Sequence, residues 1–314
     1  MYRLRQFITF CLFLLVVGIS FNLDYNPFSE REGEQLIQTT AKRDPLYQEI
    51  LQKSSDYAEE AQDAYIDKVW KKTPGRNGLQ VNLEKSYRNM KESGEFDENL
   101  LSLEQTSPKI SLEDLPSAPI YRGHPEKEMV AFLINVSWGA EYIPDILKEL
   151  KKEKVKATFF IEGKWAKENA ELVKMISEQG HVIGNHAYNH PDMARLSNQK
   201  NIEQISSTNE IIKAIIDEEP KWFAPPSGSY NQHVVDAAHN LNMHTILWTV
   251  DTIDWKNPTV SVMINRVNDK LHPGATILMH PTESIAEGIG PLIRQVKQKG
   301  FKLGTIEKLL NEER

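Results

Sequence analysis

From residue 126 onward the chain alternates short apolar runs with amphipathic stretches, and this alternation restricts the possible folds more than any other feature of the sequence. The runs at 129–136, 157–161, 181–185, 222–224, 244–249, 274–279 and 301–304 have the length and apolar continuity of buried strands. Between them, 142–154, 165–179, 199–217, 232–242, 259–270 and 285–299 place apolar residues at helical spacing. Strand followed by helix, repeated this often, predicts the α/β class: a parallel sheet covered by helices, open or closed into a barrel. In either form the chemistry belongs where strands end and loops begin.

The N-terminal part has a different character. Arg3 and Arg5 precede an uncharged apolar run at 7–21, which predicts either a secretory signal or a membrane anchor within residues 1–23. Both place the remainder outside the cytoplasm. At 1.5 Å per residue such a run spans roughly 22 Å, short of the roughly 30 Å hydrocarbon core, and Gly18 and Ser20 supply small residues for cleavage. A polar tether at 24–43 follows, then a small, mainly helical module at 44–107, a Ser/Pro-rich linker at 108–125 and the α/β region at 126–314. Within the module, the Asp44-Pro45 pair forms a helix start. Leu46, Ile50, Tyr57, Ala61, Tyr65 and Val69 then recur at helical spacing, which predicts one long helix or two short ones over 44–72. Residues 79–83 alternate like a strand, and 84–91 form a further helical turn.

Charge and cysteine content remove whole classes of function. The net charge is −7, so the basic footprint of a nucleic-acid binder is missing. Cys11 is the only cysteine and lies in the apolar run, which excludes an intramolecular disulfide, a cysteine metal cluster and a cysteine nucleophile in the folded part. A metal here has to use His, Asp or Glu.

Four strand ends carry residues that a core strand has no use for. His186 and His190 stand four apart just past the run 181–185, a spacing suited to a zinc-like ion and equally to a polar loop with two hydrogen-bonded histidines. Asp251, Asp254 and Trp255 follow 244–249, and His280 follows 274–279. A carboxylate beside His280 would favour its protonated, donating form, as general acid catalysis requires. Residues 223–230, with Pro225, Pro226, Gly228 and Tyr230, make a stiff turn. The plain alternatives are an N-cap Asp254, a surface His280 and a structural turn.

Taken in order, N-V-S-W-G, H-x-x-x-H-P, F-A-P-P-x-G-x-Y, D-x-x-D-W and L-x-H resemble the motif series of the polysaccharide deacetylase (NodB homology) family, over residues 126–310. The form I-N-V-S-W-G is similar to that of its sporulation-associated branch. The resemblance implies a distorted (β/α) barrel of the NodB type and metal-assisted removal of N-acetyl groups from peptidoglycan or chitin-like glycan at the cell envelope. It implies a divalent, zinc-like metal on His186 and His190, and His280 as the acid, oriented by Asp254 or Asp251. Trp255, Tyr230, Pro226 and Gly228 then line the sugar groove, where a backbone N–H serves as oxyanion donor.

The departures from that pattern bear directly on activity. Asn135 stands where the family has its aspartate base, Val136 where it has its metal-binding aspartate, and Ala224 where it has an arginine before Pro-Pro. An amide does not accept a proton near neutrality, and Val binds no metal, although Ser137 or a water is placed to fill the gap. The expectation is therefore a deacetylase-like protein with a degenerate site that binds N-acetylated glycan. The alternatives are an active N-deacetylase with a relocated base such as Asp251, and an unrelated metallohydrolase on the same barrel edge. Expected partners are the glycan and, through the N-terminal segment, the membrane, with no nucleic acid.

Overall fold

The computed structural model describes residues 44–314; the targeting segment and the tether expected before them lie outside the described residues. Two compact units are present, 44–60 with 79–106, and 61–78 with 107–314.

In the smaller unit, helix α1 (Pro45–Lys53) starts where Asp44 Oδ1 accepts the Leu46 N–H at 2.9 Å, with proline just inside the first turn. It buries Leu46, Tyr47 and Ile50. Strand β3 (Gly78–Val81) pairs with β4 (Leu103–Thr106), and helix α2 (Leu83–Met90) follows an Asn82 cap. Tyr47 and Tyr87 meet edge to face at 5.7 Å, and the Tyr87 hydroxyl donates to the capping Asp44 at 2.9 Å, so the cap also ties the two helices together.

The helical expectation for 44–72 ends at Lys53. Residues 65–73 instead form an antiparallel hairpin of β1 (Tyr65–Asp67) and β2 (Lys71–Thr73), within the larger unit. Asp67 Oδ1 accepts the N–H groups of Val69 and Trp70, both at 2.7 Å, which makes the turn. The apolar spacing misled because Tyr65, Ile66 and Val69 are exposed in the hairpin and line no buried helix face.

The larger unit is built on a parallel sheet ordered β10-β11-β5-β6-β7-β8-β9, with β12 also on β5. The strands are β5 (Met129–Val136), β6 (Thr158–Ile161), β7 (Val182–Asn185), β8 (Trp222–Phe223), β9 (His244–Thr245), β10 (Val250–Asp251), β11 (Thr276–Met279) and β12 (Lys302–Gly304). β12 pairs with residues 129–131 of β5 and β6 with 133–136, so the two share one edge in tandem. Only residues 246–249 join the two outermost strands, which forces the sheet to curl, and Ile120 bridges to Ile246 at that closure. The run at 244–249 is therefore not one strand: its second half crosses from one sheet edge to the other. Alternation sorts β5 into two faces. Val130, Phe132, Ile134 and Val136 pack against the helix layer, whereas Ala131 and Leu133 face the barrel interior with Phe160, Ala224 and Ile246. Helices at Ile143–Lys152, Asn198–Ile216, Gln232–Asn240, Val260–Lys270 and Glu283–Gln298 occupy the stretches expected to be helical, and 165–179 divides into Gly163–Glu168 and Ala170–Glu178. This is the curled parallel α/β architecture that the sequence resemblance implies.

His181, just before β7, makes stability pH-dependent. Its Nδ1 accepts the Ala157 N–H at 3.1 Å, leaving the proton on Nε2, which is buried without a partner. Burial, then the charge of Lys156, pushes its pKa down to about 4. Because the folded value lies below the unfolded one of about 6.5, the neutral ring's contribution is complete above that pH and is lost as pH falls through 4. His181→Phe is expected to flatten the loss of stability between pH 6.5 and 4 while forfeiting the Ala157 bond at every pH. Urea midpoints across that range test it.

Candidate active site

The C-terminal strand ends converge on a cleft of about 390 Å³. β5 delivers Asn135 and the loop after it Trp138; the loop after β7 delivers His186 and His190; Ser227 follows β8; Trp248, Asp251 and Trp255 come from the crossing segment and β10; Leu278 and His280 come from β11.

His186 is fully buried. Its Nδ1 lies 2.7 Å from the Ala224 carbonyl, so Nδ1–H donates and Nε2 is left as the free lone pair. Burial first, then His190 and His280, hold its pKa down at about 3, and the ring is neutral at ordinary pH. Burial likewise lowers the pKa of His190. The two rings lie 5.2 Å apart. The loop carrying them is held in the left-handed region at Ala187 (φ 60°) and His190 (φ 55°), braced by Asn185 Oδ1 on the Ala187 N–H and Gln204 Oε1 on the N–H groups of Tyr188 and Asn189. Non-glycine residues keep this conformation only where neighbours enforce it.

His280 is gripped twice by Asp254, whose side chain is completely buried: the His280 backbone N–H donates to Oδ2 at 2.6 Å and Nδ1 to Oδ1 at 2.9 Å. Asp251 is engaged elsewhere, its Oδ1 accepting the Ile253 N–H at 2.8 Å. Of the two carboxylates, Asp254 is thus the one that orients the imidazole. Trp138 covers the face of the same ring, with centroids 5.1 Å apart and planes 15° from parallel. Trp255 is 52 % exposed at the rim, with Lys256 Nζ 4.8 Å from its ring centre.

Asn135 is almost fully buried, and its Oδ1 has no hydrogen-bond partner. Val136 is fully buried on the opposite side of β5, among the residues packed on the helices. The expected metal site is accordingly incomplete. Two imidazoles are present, the third position is apolar and turned away, and no group of three His, Cys, Asp or Glu among the described residues is arranged to hold an ion. Val136→Asp is expected to place a carboxylate in the apolar layer rather than beside the histidines. It should destabilise the protein by several kcal/mol without raising zinc affinity, measured by denaturation and zinc titration.

Three residues expected in the groove lie elsewhere. Pro226 is buried in the turn; an added Cβ on Gly228 would meet Trp248 at 2.8 Å, so that glycine lies beneath the tryptophan; and the Tyr230 hydroxyl is engaged with Tyr121 at 2.9 Å. The N–H groups of Gly228 and Ser229 close the turn onto Pro225 and Pro226 carbonyls, so neither is a free oxyanion donor. Sequence reasoning assigned no role to Trp138, Ser227 or Trp248. The tryptophan of S-W-G was the available signal for the first, whereas Trp248 looked like an ordinary strand residue.

Comparison with known proteins agrees with this geometry. The polysaccharide deacetylase family profile matches residues 122–246. YlxY of Bacillus subtilis, itself uncharacterised, is 49 % identical over 99 % of this chain and 98 % of its own length. A peptidoglycan-N-acetylglucosamine deacetylase of Bacillus cereus is 34 % identical over 60 % of this chain and 70 % of its own. A solved CE4 family pseudoenzyme from Bacillus anthracis superposes with a TM-score of 0.80 at 50 % identity, covering 86 % of this chain and 96 % of that one. A mutant of that pseudoenzyme, described as having restored enzymatic activity, superposes with the same TM-score at 49 % identity, covering 86 % of this chain and 99 % of the mutant.

Proposed function

Because the chain belongs to the polysaccharide deacetylase family, we propose that it binds N-acetylated, peptidoglycan-like glycan in the cleft at the strand ends and does not hydrolyse it. The observation that carries this reading is Asn135. The acid half of the site is intact, with His280 held by Asp254, while the base position holds an amide whose oxygen is buried and unpaired. An oriented acid without a base can donate a hydrogen bond to a bound sugar but does not activate water. Trp138 and Trp255 flank the cleft and supply flat apolar faces for a pyranose.

The proposal places the protein at the cell envelope, outside the cytoplasm. Support comes from the basic-then-apolar start at residues 3–21 and from the peptidoglycan-directed activity named for relatives. The I-N-V-S-W-G form supports assignment to the sporulation-associated branch. A divalent ion, where one binds, rests on His186 and His190 alone.

The test is direct. The full chain is expected to bind N-acetylglucosamine oligomers, to lose at least tenfold in affinity on Trp255→Ala, and to release no acetate. Acetate release by the native chain overturns the reading in favour of a relocated base, and its loss on Asp251→Asn then identifies that base. No binding of any N-acetylated glycan overturns it altogether.

A further inference from the structure

The geometry points to a second ligand site at the other end of the barrel, a groove for oligosaccharides that carry free amino groups. It lies at the starting ends of β8 and β9, away from the strand ends that form the cleft, and at about 790 Å³ it is roughly twice as large. Trp222 and His244 line it, their rings 5.4 Å apart and tilted by 30°. Both are fixed by carboxylates that also line the groove: the Trp222 indole N–H donates to Glu307 Oε1 at 3.3 Å, and His244 Nε2 to Glu113 Oε1 at 2.9 Å. The two hydrogen bonds hold the aromatic surface in place, which lowers the ordering cost when a ligand arrives.

The charge of the groove is unbalanced. Burial lowers the pKa of His244, so the neutral ring leaves Glu113 negative. Burial first, then the nearby carboxylates of Asp114 and Asp63, raise the pKa of Glu312. Glu219 pairs with Lys213, and Lys221 is the one lysine among the groove's lining residues; among the described residues neither lysine nor arginine forms an ion pair with Glu113, Glu307 or Glu312. Lys72 reaches Glu113 only by longer-range attraction. Three carboxylates without an ion-paired lysine or arginine, outnumbering Lys221 around two aromatic rings, match a sugar chain with ammonium groups, the chemistry that N-deacetylation of an acetamido glycan leaves behind. The inference rests on the reading above only in taking the partner to be a glycan.

The experiment compares binding of the detergent-solubilised full chain to a glucosamine hexamer, an N-acetylglucosamine hexamer and a hexalysine peptide by calorimetry, at a pH where the amines are charged. The glucosamine hexamer is expected to bind more tightly than the acetylated one in wild type. Combined Glu113→Gln, Glu307→Gln and Glu312→Gln should weaken it about tenfold, the sum of three partly exposed charge pairs, while leaving the acetylated hexamer unaffected. The single Glu307→Gln variant, which still accepts the indole N–H, should show part of that loss. Absence of a preference for the amine, indifference to the triple substitution, or equal binding of hexalysine overturns the proposal. If the acetylated hexamer fails to bind while the amine hexamer still depends on the three glutamates, the cleft reading alone is overturned and the groove stands.

Discussion

Asn135→Asp is expected to turn a silent barrel into one that releases acetate from N-acetylated glycan. The residue occupies the next-to-last position of β5, lines the cleft with His186, His190 and His280, and presents an oxygen with no partner. Substituting a carboxylate changes few atoms, so the fold should tolerate it. An amide there contributes nothing as a base, and a positioned general base is worth ~10²–10⁴ in rate, so the gain over the native chain should be at least about 10². His280, the proposed acid of the pair, is already held by Asp254. His280→Ala in the Asn135→Asp background should therefore abolish the gain, and acetate assays on the native, single and double variants provide the measurement. A silent Asn135→Asp chain would mean that the missing base is not the only deficit, with the incomplete metal site on His186 and His190 the next to examine.

Gly139→Ala is expected to be the most damaging small substitution near the site. Gly139 has φ 74°, and an added Cβ would stand 2.0 Å from the Pro281 carbonyl oxygen, far inside contact distance and against backbone that has little room to give. The left-handed conformation alone costs an alanine roughly 1–2 kcal/mol, and relieving the clash adds to this. A total of about 3 kcal/mol lowers Tm by roughly 6–12 °C in a protein of this size. Gly300→Ala provides the control: at φ 91° it carries the same conformational penalty, but nothing lies within 4 Å of its new Cβ. A similar Tm loss in both variants would show that the contact with Pro281 is unimportant. That close approach also accounts for the glycine of S-W-G. The close approach of Gly139 to Pro281 joins the loop after β5 to the loop after β11 and sets Trp138 over His280, so Gly139→Ala should disturb the near-UV signal of that stack as well.

The parallel α/β architecture was legible because its signal is local and repeated: each buried strand is a short apolar run, and each covering helix shows its stripe at 3.6-residue spacing. The two exceptions have distinct causes. In 44–72, residues such as Tyr65 and Val69 mimic a helical stripe while standing exposed on a hairpin whose turn depends on one aspartate oxygen. In 244–249, hydrophobicity continues through a segment that has already left its strand, because Ile246 and Leu247, which begin the crossing between sheet edges, are buried as fully as residues inside the ladder.

The site divides along the same line. Side-chain chemistry at strand ends was enough to nominate His186, His190, Asp254 and His280, and the family resemblance to propose that an amide and a valine stand at the base and metal-ligand positions. Which carboxylate serves His280, that Val136 turns toward the helices, that Tyr230 is spent on Tyr121, and that Trp138 and Trp248 wall the cleft were decided only by the tertiary structure. The residue types present are a property of the chain. The direction in which each side chain points depends on pleat, curl and the meeting of loops distant in sequence, as when Gly139 and Pro281 come into contact across 142 positions.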